Sequence, residues 1–303
     1  MERIILDVDT GLDDAVALFL AAGLDEIQIE AVIATAGNVG LDKTVENTLN
    51  IMETTGLDCP VYAGSAAPLV REPVEAGEFH GESGLDGPVF DKRVRQHLQA
   101  EDGIDAMIRI VEENPHEITI VSVGPLTDLA TALQQKPELA ALAKGFVIMG
   151  GSFSGGNVTD VAEFNTYADP EAAQIVFSSG AKIALFSLDC TRTVTLSSER
   201  LQEFRKKSGR SNEVFVACMD TYSSNYAKRK AGDPQMHDPL CIAYLSDPTK
   251  VTGENIGVEV ILEPGPRYGE TIKVENEKPI FVAHFIDIPW FWTLVERALE
   301  TLP

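Results

Sequence analysis

Four carboxylates lie within eight residues near the N-terminus: Asp7, Asp9, Asp13 and Asp14. They lie between a short, apolar, β-branched segment at residues 3–8 and an apolar helical stretch, so the pattern predicts strand, loop and helix. Carboxylates this close repel one another unless a cation lies among them. Oxygen ligands without histidine or cysteine are typical of Ca²⁺ or Mg²⁺ sites. The cluster therefore predicts a cation site at the C-terminal end of the first strand, where open α/β sheets bind ligands.

Two other interpretations stay open on the cluster alone. Asp13 and Asp14 could simply cap the following helix, whose dipole favours negative charge, while the two earlier acids are solvated. The pair Asp7-x-Asp9 also resembles the start of haloacid-dehalogenase-like phosphohydrolases, where Asp7 would be a nucleophile and Asp9 an acid/base. The pair Asp13-Asp14 is foreign to that pattern, and no lysine lies in a matching downstream motif.

Three later groups of residues accompany the cluster. They are His80 to Leu85 (HGESGL), Met149-Gly150-Gly151 followed by Asn157 and Glu163-Phe164-Asn165, and His237-Asp238-Pro239 at the start of a helix. Taken in order with the D-x-D-x-G-x-D-D cluster, these motifs resemble those of the inosine–uridine-type nucleoside hydrolases. The resemblance runs from residue 3 to at least Leu240, and it departs at Thr10, where many members carry proline. It implies hydrolysis of the N-glycosidic bond of ribonucleosides to ribose and free base.

The resemblance also implies a set of metal ligands. Asp9, Asp14 and Asp238 would bind Ca²⁺, together with the backbone carbonyl of Val123. Water and the ribose 2′- and 3′-hydroxyls would complete the roughly 6–8 ligands that calcium takes. Asp13, beside these ligands, would be the general base for a metal-activated water.

The remaining implied roles concern the substrate. The residues expected to contact the ribose or lie near the metal are Asn38, Met149, Asn157, Glu163, Asn165 and Asp238. His237 is the candidate acid for the leaving base, because histidine titrates near neutrality and His237 adjoins a metal ligand. His80 and Tyr226 are expected to contact the base. Helix packing is favoured for Tyr222, whereas Phe79 fits stacking on a base and core packing equally well. Asp7 would support the cluster from behind.

The elements that must position these residues alternate between strand and helix. Predicted strands at 28–35, 118–123, 146–149 and 183–187 alternate with predicted helices at 42–55, 126–135 and 170–178. This rhythm predicts one α/β domain over residues 1–303, with a mainly parallel, Rossmann-like open sheet and helices on both faces. Loops are expected at 64–99 and 150–169, and helices at 212–230 and 286–302. Short strands near 258–262, 270–274 and 280–283 predict a small C-terminal β extension.

Composition limits the partners. Twenty-four basic against 47 acidic residues give a net charge of −23, which argues against nucleic acid and anionic membranes but not against an uncharged nucleoside. The four cysteines lack metal-site spacing and fit a reducing compartment. The apolar run Ala15–Leu24 is half the roughly twenty residues needed to span a bilayer. We therefore predict a cytoplasmic protein and, from the resemblance, a homodimer or homotetramer.

Two matters stay open in the sequence. The preferred base could be a purine, a pyrimidine or a modified base, because the loops and the long helix that would recognise it are the parts a sequence reveals least. A nucleoside-binding protein without catalysis is the third functional alternative, although every candidate catalytic group is present.

Overall fold

The first strand alternates its apolar side chains between two faces, and the rest of the sheet is built around it. In the computed structural model, which describes residues 1–90, 97–275 and 278–303, Ile4 and Leu6 face one core and Ile5 the other. The strands are β1 (Glu2–Val8), β2 (Ile27–Ala34), β3 (Val61–Ala63), β4 (Leu98–Asp102), β5 (Ile118–Ser122), β6 (Gly145–Met149), β7 (Ile183–Phe186), β8 (Val251–Val260), β9 (Thr271–Val274) and β10 (Ile280–Ile286).

These strands form one sheet in the order β4-β3-β2-β1-β5-β6-β7-β10-β8-β9. Strands β1 to β7 and β10 pair in parallel, whereas β8 is antiparallel to both β10 and β9. The chain runs outward from β1 to β4 and then returns to place β5 on the other side of β1. This reversal between β1 and β5 is the topological switch point, where α/β sheets bind their ligands.

Helices cover both faces of the sheet. They are α1 (Leu12–Gly23), α2 (Leu41–Thr55), α3 (Gly77–His80), α4 (Gly103–Glu113), α5 (Thr127–Gln135), α6 (Leu139–Leu142), α7 (Phe164–Ala168), α8 (Pro170–Ser178), α9 (Leu188–Thr191), α10 (Ser198–Phe204), α11 (Arg210–Arg229), α12 (Pro239–Ser246) and α13 (Ile288–Thr301), with a 3₁₀ turn at Pro248–Lys250. The core on one face includes side chains of α1, α2 and α10 to α13, and the core on the other includes those of α4, α5, α6 and α8. Two separate apolar layers therefore hold the sheet between them.

Helices α1 and α13 approach each other closely. A Cβ at Gly23 would lie 2.3 Å from the carbonyl oxygen of Ala298, so only glycine allows this approach. The Thr301 hydroxyl also donates to the Gly23 carbonyl oxygen at 2.7 Å. We call this contact the α1–α13 clasp, and it fixes the helix that carries Asp13 and Asp14.

The predicted fold class is confirmed, with three refinements. The expected C-terminal extension is part of the main sheet, because β10 pairs with β7. Strand β4 and helix α4 fall where the sequence reading assigned no regular element. Helix α3 lies inside the expected loop 64–99, of which residues 91–96 lie outside the described residues, and helix α7 lies inside the expected loop 150–169. Within the described residues, no helix is both long and apolar enough to cross a bilayer.

Candidate active site

A cavity of about 630 Å³, including its open mouth, lies at the switch point. Asp9 follows β1, Asn38 follows β2, Val123 follows β5 and Met149 ends β6, so four neighbouring parallel strands deliver residues to one place. The other lining residues are Asp13, Ala76, Phe79, His80, Asn157, Val158, Glu163, Phe164, Asn165, Tyr222, Tyr226, Gln235, His237 and Asp238. The cavity therefore joins residues from both halves of the chain.

Asp14 lies beneath the cavity and organises the first turn of α1. Its carboxylate accepts from the backbone N–H of Gly11 at 2.9 Å and of Asp9 at 3.2 Å. The Asn38 side-chain amide donates to the same carboxylate at 3.0 Å, and the Asn38 backbone N–H donates to Asp9 Oδ2 at 2.7 Å. Asn38 thus ties the carboxylates of Asp9 and Asp14 together from the end of β2.

Three buried carboxylates converge at the floor of the cavity. One oxygen each from Asp13, Asp14 and Asp238 lies within 4.8 Å of the others. Burial, with repulsion from Asp14, raises the pKa of Asp13 to about 8. Burial, with repulsion from the neighbouring acids, also raises the pKa of Asp238 well above its usual value. Both effects favour a bound cation that would neutralise the group, and the donors are the oxygens that hard divalent cations prefer.

The predicted carbonyl ligand lies beside this floor. The Asn165 amide donates to the Val123 carbonyl oxygen at 2.6 Å and to the Met149 carbonyl oxygen at 3.2 Å. A carbonyl oxygen has two lone pairs, so Val123 keeps one for a cation. Because the Asn165 amide nitrogen is used on the backbone, its Oδ1 is the atom left for a substrate hydroxyl.

Glu163 is both a cavity residue and a helix cap. Its carboxylate accepts from the backbone N–H groups of Asn165 at 2.9 Å, Thr166 at 3.0 Å and Gly151 at 2.9 Å. A carboxylate has about four acceptor positions, so one stays available for a ribose hydroxyl. Glu163 therefore joins the turn after β6 to the start of α7.

An aromatic wall, defined as Phe79, His80, Tyr222 and Tyr226, lines one side of the cavity. The His80 and Tyr222 rings stack with centroids 5.7 Å apart, and Tyr222 meets Tyr226 edge to face at 4.9 Å. Phe79 meets Tyr226 at 5.7 Å. Such a wall suits the flat faces of a nucleobase. Tyr222 and Phe79, whose roles the sequence did not settle, both line the cavity.

His80 is held as a neutral ring of defined tautomer. The Leu12 backbone N–H donates to His80 Nδ1 at 3.0 Å, so Nδ1 is the acceptor and the ring proton is on Nε2. Burial lowers the pKa of His80 to about 4. A Cβ at Gly11 would lie 2.4 Å from Nδ1, so glycine is required for this contact. His80 can therefore donate, but not carry a charge, at neutral pH.

His237 also lines the cavity in neutral form. Its Nδ1 lies 2.8 Å from the Thr191 hydroxyl. Burial lowers the pKa of His237 to about 3, with contributions from Arg192 and His80. A ring of this pKa can hydrogen-bond to a leaving base, but it must gain basicity in the reacting complex before it can act as a proton reservoir.

Asp7 lies behind the cavity rather than in it. Its Oδ2 accepts from the Ser122 hydroxyl at 2.7 Å, and Asp128 accepts from the Ser65 backbone N–H at 2.7 Å. The other oxygens, Asp7 Oδ1 and Asp128 Oδ2, accept no hydrogen bond. Burial and mutual repulsion raise the pKa of Asp7 well above its usual value, so one proton between the two carboxyls would satisfy both. A fully buried Asp7 off the cavity is not placed to be a nucleophile.

All the predicted site residues except Asp14 line this one cavity, and Asp14 lies directly beneath it. Four further lining residues were not predicted from the sequence: Gln235, Val158, Ala76 and Phe164, the last of which lies between the predicted Glu163 and Asn165. Gln235 lies two residues before His237 and Val158 follows Asn157, so proximity to a motif was the available signal. Ala76 had no signal in the sequence.

The comparisons with known proteins identify the class. The sequence matches the family described as inosine-uridine preferring nucleoside hydrolase over residues 4–293, and the chain belongs to that family. The pyrimidine-specific ribonucleoside hydrolase RihB of Escherichia coli (strain K12) is 37% identical over 310 residues, which cover 98% of this chain and 97% of the relative.

Solved structures agree in fold. A purine-preferring ribonucleoside hydrolase from Gardnerella vaginalis matches with a TM-score of 0.93 and 30% identity, covering 99% of both chains. A plant nucleoside hydrolase, PpNRh1, matches with a TM-score of 0.93 and 30% identity, covering 98% of this chain and 99% of its own. The protein is therefore a ribonucleoside hydrolase of a metal-dependent family, which confirms the predicted reaction class and excludes the phosphohydrolase alternative.

Proposed function

We propose that the protein hydrolyses ribonucleosides to ribose and free base with a bound Ca²⁺, and that it accepts both purine and pyrimidine bases. The observation that carries this proposal is the convergence of Asp13, Asp14 and Asp238 within 4.8 Å, at the floor of a cavity with an aromatic wall. A floor of carboxylates suits a cation and a sugar diol, whereas an aromatic wall suits a base.

The cation would be held by Asp9, Asp14, Asp238 and the Val123 carbonyl oxygen. When bound, it lowers the pKa of a coordinated water and binds the vicinal hydroxyls of the ribose. Calcium is favoured over magnesium because the donors are all oxygens from separate segments, and calcium tolerates irregular geometry whereas magnesium demands a near-ideal octahedron.

Asp13 is the proposed general base. It lies among the carboxylates but accepts fewer hydrogen bonds than Asp14, whose carboxylate accepts from three N–H groups. In the absence of a cation, burial and repulsion from Asp14 raise the pKa of Asp13 to about 8, so the protonated acid is favoured at neutral pH. A cation between these acids would lower that pKa, leaving the carboxylate ionised and ready to accept the proton of the attacking water.

The ribose would be held by polar groups around the floor. Asn157, Glu163 and Asn165 have hydrogen-bonding atoms available on one side, Asp238 on the other, and Met149 packs nearby. As the C1′–N bond breaks, the sugar gains oxocarbenium character. The surrounding carboxylates stabilise that positive charge.

The leaving base would lie against the aromatic wall. His80 presents Nε2–H as a donor, and His237 is the proposed source of the proton that the departing nitrogen requires. Tyr226 offers a ring face and a hydroxyl. Stacking on aromatic rings tolerates any base. His80 and His237, as two donors at fixed positions, suit the carbonyl oxygens of both inosine and uridine.

Release of reducing ribose from inosine, adenosine, uridine and cytidine tests the proposal, with calcium supplied or removed by a chelator. We expect release from at least one purine and one pyrimidine nucleoside, abolished by the chelator and restored by Ca²⁺. Activity that survives the chelator would refute the calcium assignment, and cleavage of only one base class would refute the broad preference. A homodimer or homotetramer remains our expectation for the assembly, which light scattering measures directly.

A further inference from the structure

The short helix α9 and the residue after it connect two parts of the site through three contacts. Helix α9 follows β7, and its residues contact both the glycine-rich loop after β6 and the candidate acid. Asp189 Oδ2 accepts from the Phe153 backbone N–H at 2.8 Å, and the Thr191 hydroxyl lies 2.8 Å from His237 Nδ1. Arg192, immediately after α9, provides the third connection.

Arg192 binds two successive carbonyl oxygens of that loop. Its Nη1 donates to Gly155 O at 2.8 Å and its Nη2 donates to Gly156 O at 2.6 Å. The residue after Gly156 is Asn157, a proposed ribose ligand, and the next is Val158, which also lines the cavity. The guanidinium therefore binds the backbone directly before Asn157 and Val158, the two residues of the loop that line the cavity.

The loop is closed on itself beyond that contact. The backbone N–H of Asn157 donates to Ala162 O at 3.1 Å, and that of Gly156 donates to Asp160 O at 3.1 Å. A Cβ at Gly156 would lie 2.1 Å from Ala162 O, so the turn is tightly packed. The loop is therefore a compact unit, and its position relative to the cavity floor depends on the contacts that join it to the rest of the protein.

Arg192 binds carbonyl oxygens although the protein has a net charge of −23 and thus many carboxylates. Within the described part of the chain, no carboxylate lies within ion-pairing distance of the Arg192 guanidinium, whereas Arg3, Arg71, Arg109, Arg205 and Arg210 all have carboxylate partners. A planar fork that binds two carbonyls fixes both the distance and the orientation of the backbone, which lysine's single ammonium does not. Arg192 itself does not line the cavity.

We propose that Arg192 is a positioning residue that sets the substrate-contacting loop at Asn157 against the calcium floor. The inference rests on the proposed function and deepens it. Since Arg192 acts through Asn157, it controls how tightly the nucleoside is held and not whether the cation binds. The Asp189 contact to Phe153 anchors the same loop two residues before Gly155.

The experiment compares Arg192→Met and Arg192→Lys with the wild type and with Arg205→Met, which removes an exposed arginine paired with Asp220. Steady-state kinetics are measured on the best nucleoside. Binding of 9-deazainosine and pseudouridine, whose glycosidic carbon–carbon bonds resist hydrolysis, is measured by calorimetry, together with the dissociation constant of Ca²⁺. We expect Arg192→Met to raise KM and the C-nucleoside Kd at least tenfold, with a smaller fall in kcat and a calcium Kd within twofold of wild type. Arg192→Lys should lie between wild type and Arg192→Met, and Arg205→Met should match wild type.

A double-mutant cycle with Asn157→Ala tests the route of the effect. If Arg192 acts through the loop, Arg192→Met in the Asn157→Ala background changes the C-nucleoside Kd by less than threefold. A full tenfold change in that background, or kinetics of Arg192→Met equal to those of Arg205→Met, would overturn the proposal. Should Arg192→Met fail to fold, Arg192→Lys and its own cycle with Asn157→Ala give the same decision. A wild type that binds neither C-nucleoside and cleaves no nucleoside would instead be a failure of the proposed function.

Discussion

Asp13 and Asp14 are neighbours in sequence with different environments. Asp14 accepts hydrogen bonds from Gly11, Asp9 and Asn38, so it is fixed in one orientation. Asp13 faces the cavity, 4.0 Å from His80 Nδ1. The side chain with fewer fixed partners is the better candidate for transferring a proton, and the more restrained one is the better metal ligand.

This difference predicts the behaviour of Asp13→Asn. The amide has nearly the same shape but cannot accept a proton from water, so kcat should fall by about 10²- to 10⁴-fold. Bound calcium per chain, measured by atomic absorption, should not change. Asp14→Asn is the matched comparison and should lose the metal. Full activity of Asp13→Asn at unchanged calcium content would show that the base lies elsewhere.

The buried pair Asp7 and Asp128 predicts a pH dependence of stability. Burial raises the pKa of Asp128 to about 6, whereas an unfolded aspartate titrates near 4. The folded state therefore binds the proton more tightly, so the stabilising contribution is complete below about pH 4 and is lost as the pH rises through about 6. Asparagine at position 128 would keep the Ser65 contact and donate to Asp7 without titrating.

Urea unfolding of Asp128→Asn and wild type in chelator at pH 4 and pH 7 measures this effect. The stability of the variant relative to wild type should rise by about 3 kcal/mol between these pH values, from a shift of about two pKa units. Asp233→Asn, on the exposed surface, is the control and should show no such trend. A constant difference between Asp128→Asn and wild type would mean that folding does not raise the pKa of Asp128.

At this scale the sequence could predict residues that lie in motifs, and little about what each does. Asp9, Asn157 and His237 were predicted because their neighbours in sequence carried the pattern. The bond from the Asn165 amide to Val123 O joins residues 42 positions apart, and Asp128 meets Ser65 across 63 positions. Such contacts depend on tertiary packing, which no local pattern encodes.

At the scale of elements, the C-terminal end of α9 places two adjacent residues with different roles: Thr191, the last residue of the helix, and Arg192, directly after it. Thr191 contacts the ring of His237, and Arg192 contacts the loop before Asn157. Thr191→Val keeps the shape but removes the hydroxyl that orients the imidazole. We expect kcat to fall about tenfold or more, while KM stays within about twofold of wild type. A general acid in the wrong orientation loses part of its rate contribution, which is about 10²- to 10⁴-fold.

This kinetic signature is the reverse of that expected for Arg192→Met, so the two variants control for each other. Steady-state kinetics on inosine and uridine are sufficient to separate them. A Thr191→Val variant with raised KM and unchanged kcat would mean that Thr191 serves the loop and not His237.

The elements themselves were predictable where they carried a strong apolar pattern. Strand β1 and helix α1 stand out because residues 4–6 and 15–21 are almost wholly apolar and fully buried. Strand β4 is mostly exposed, so it lacks the alternation that marks a half-buried strand. The pairing of β10 with β7 was not predictable, since the long segment between these strands gives no sign of which edge the chain returns to.

At the scale of the whole molecule, the acidic composition and the cluster of carboxylates at the cavity floor both favour binding of a cation to the folded protein. With a net charge of −23, the acidic side chains repel one another in the folded state, and three of them converge at the cavity floor. A cation that binds only the folded state stabilises it by about 2.7 kcal/mol at a concentration 100 times its Kd. For a chain of this size that corresponds to a rise in Tm of roughly 4 °C.

Thermal unfolding with excess Ca²⁺ and with chelator measures this rise. Asp238→Asn should lose the calcium-dependent part of Tm, because one of the proposed ligands is weakened. Equal Tm values for the wild type in both conditions would show that calcium does not bind the folded protein at this site.

The α1–α13 clasp can form only late in the synthesis of the protein. Its hydrogen bond joins Thr301 to Gly23, residues 278 positions apart, so the ribosome must synthesise nearly the whole chain before the clasp can close. Asp9 and Asp14 emerge early, whereas Asp238 and α13 follow much later. A nascent chain therefore displays only part of the proposed cation site throughout most of translation, and a chain released before residue 238 lacks one of the proposed ligands.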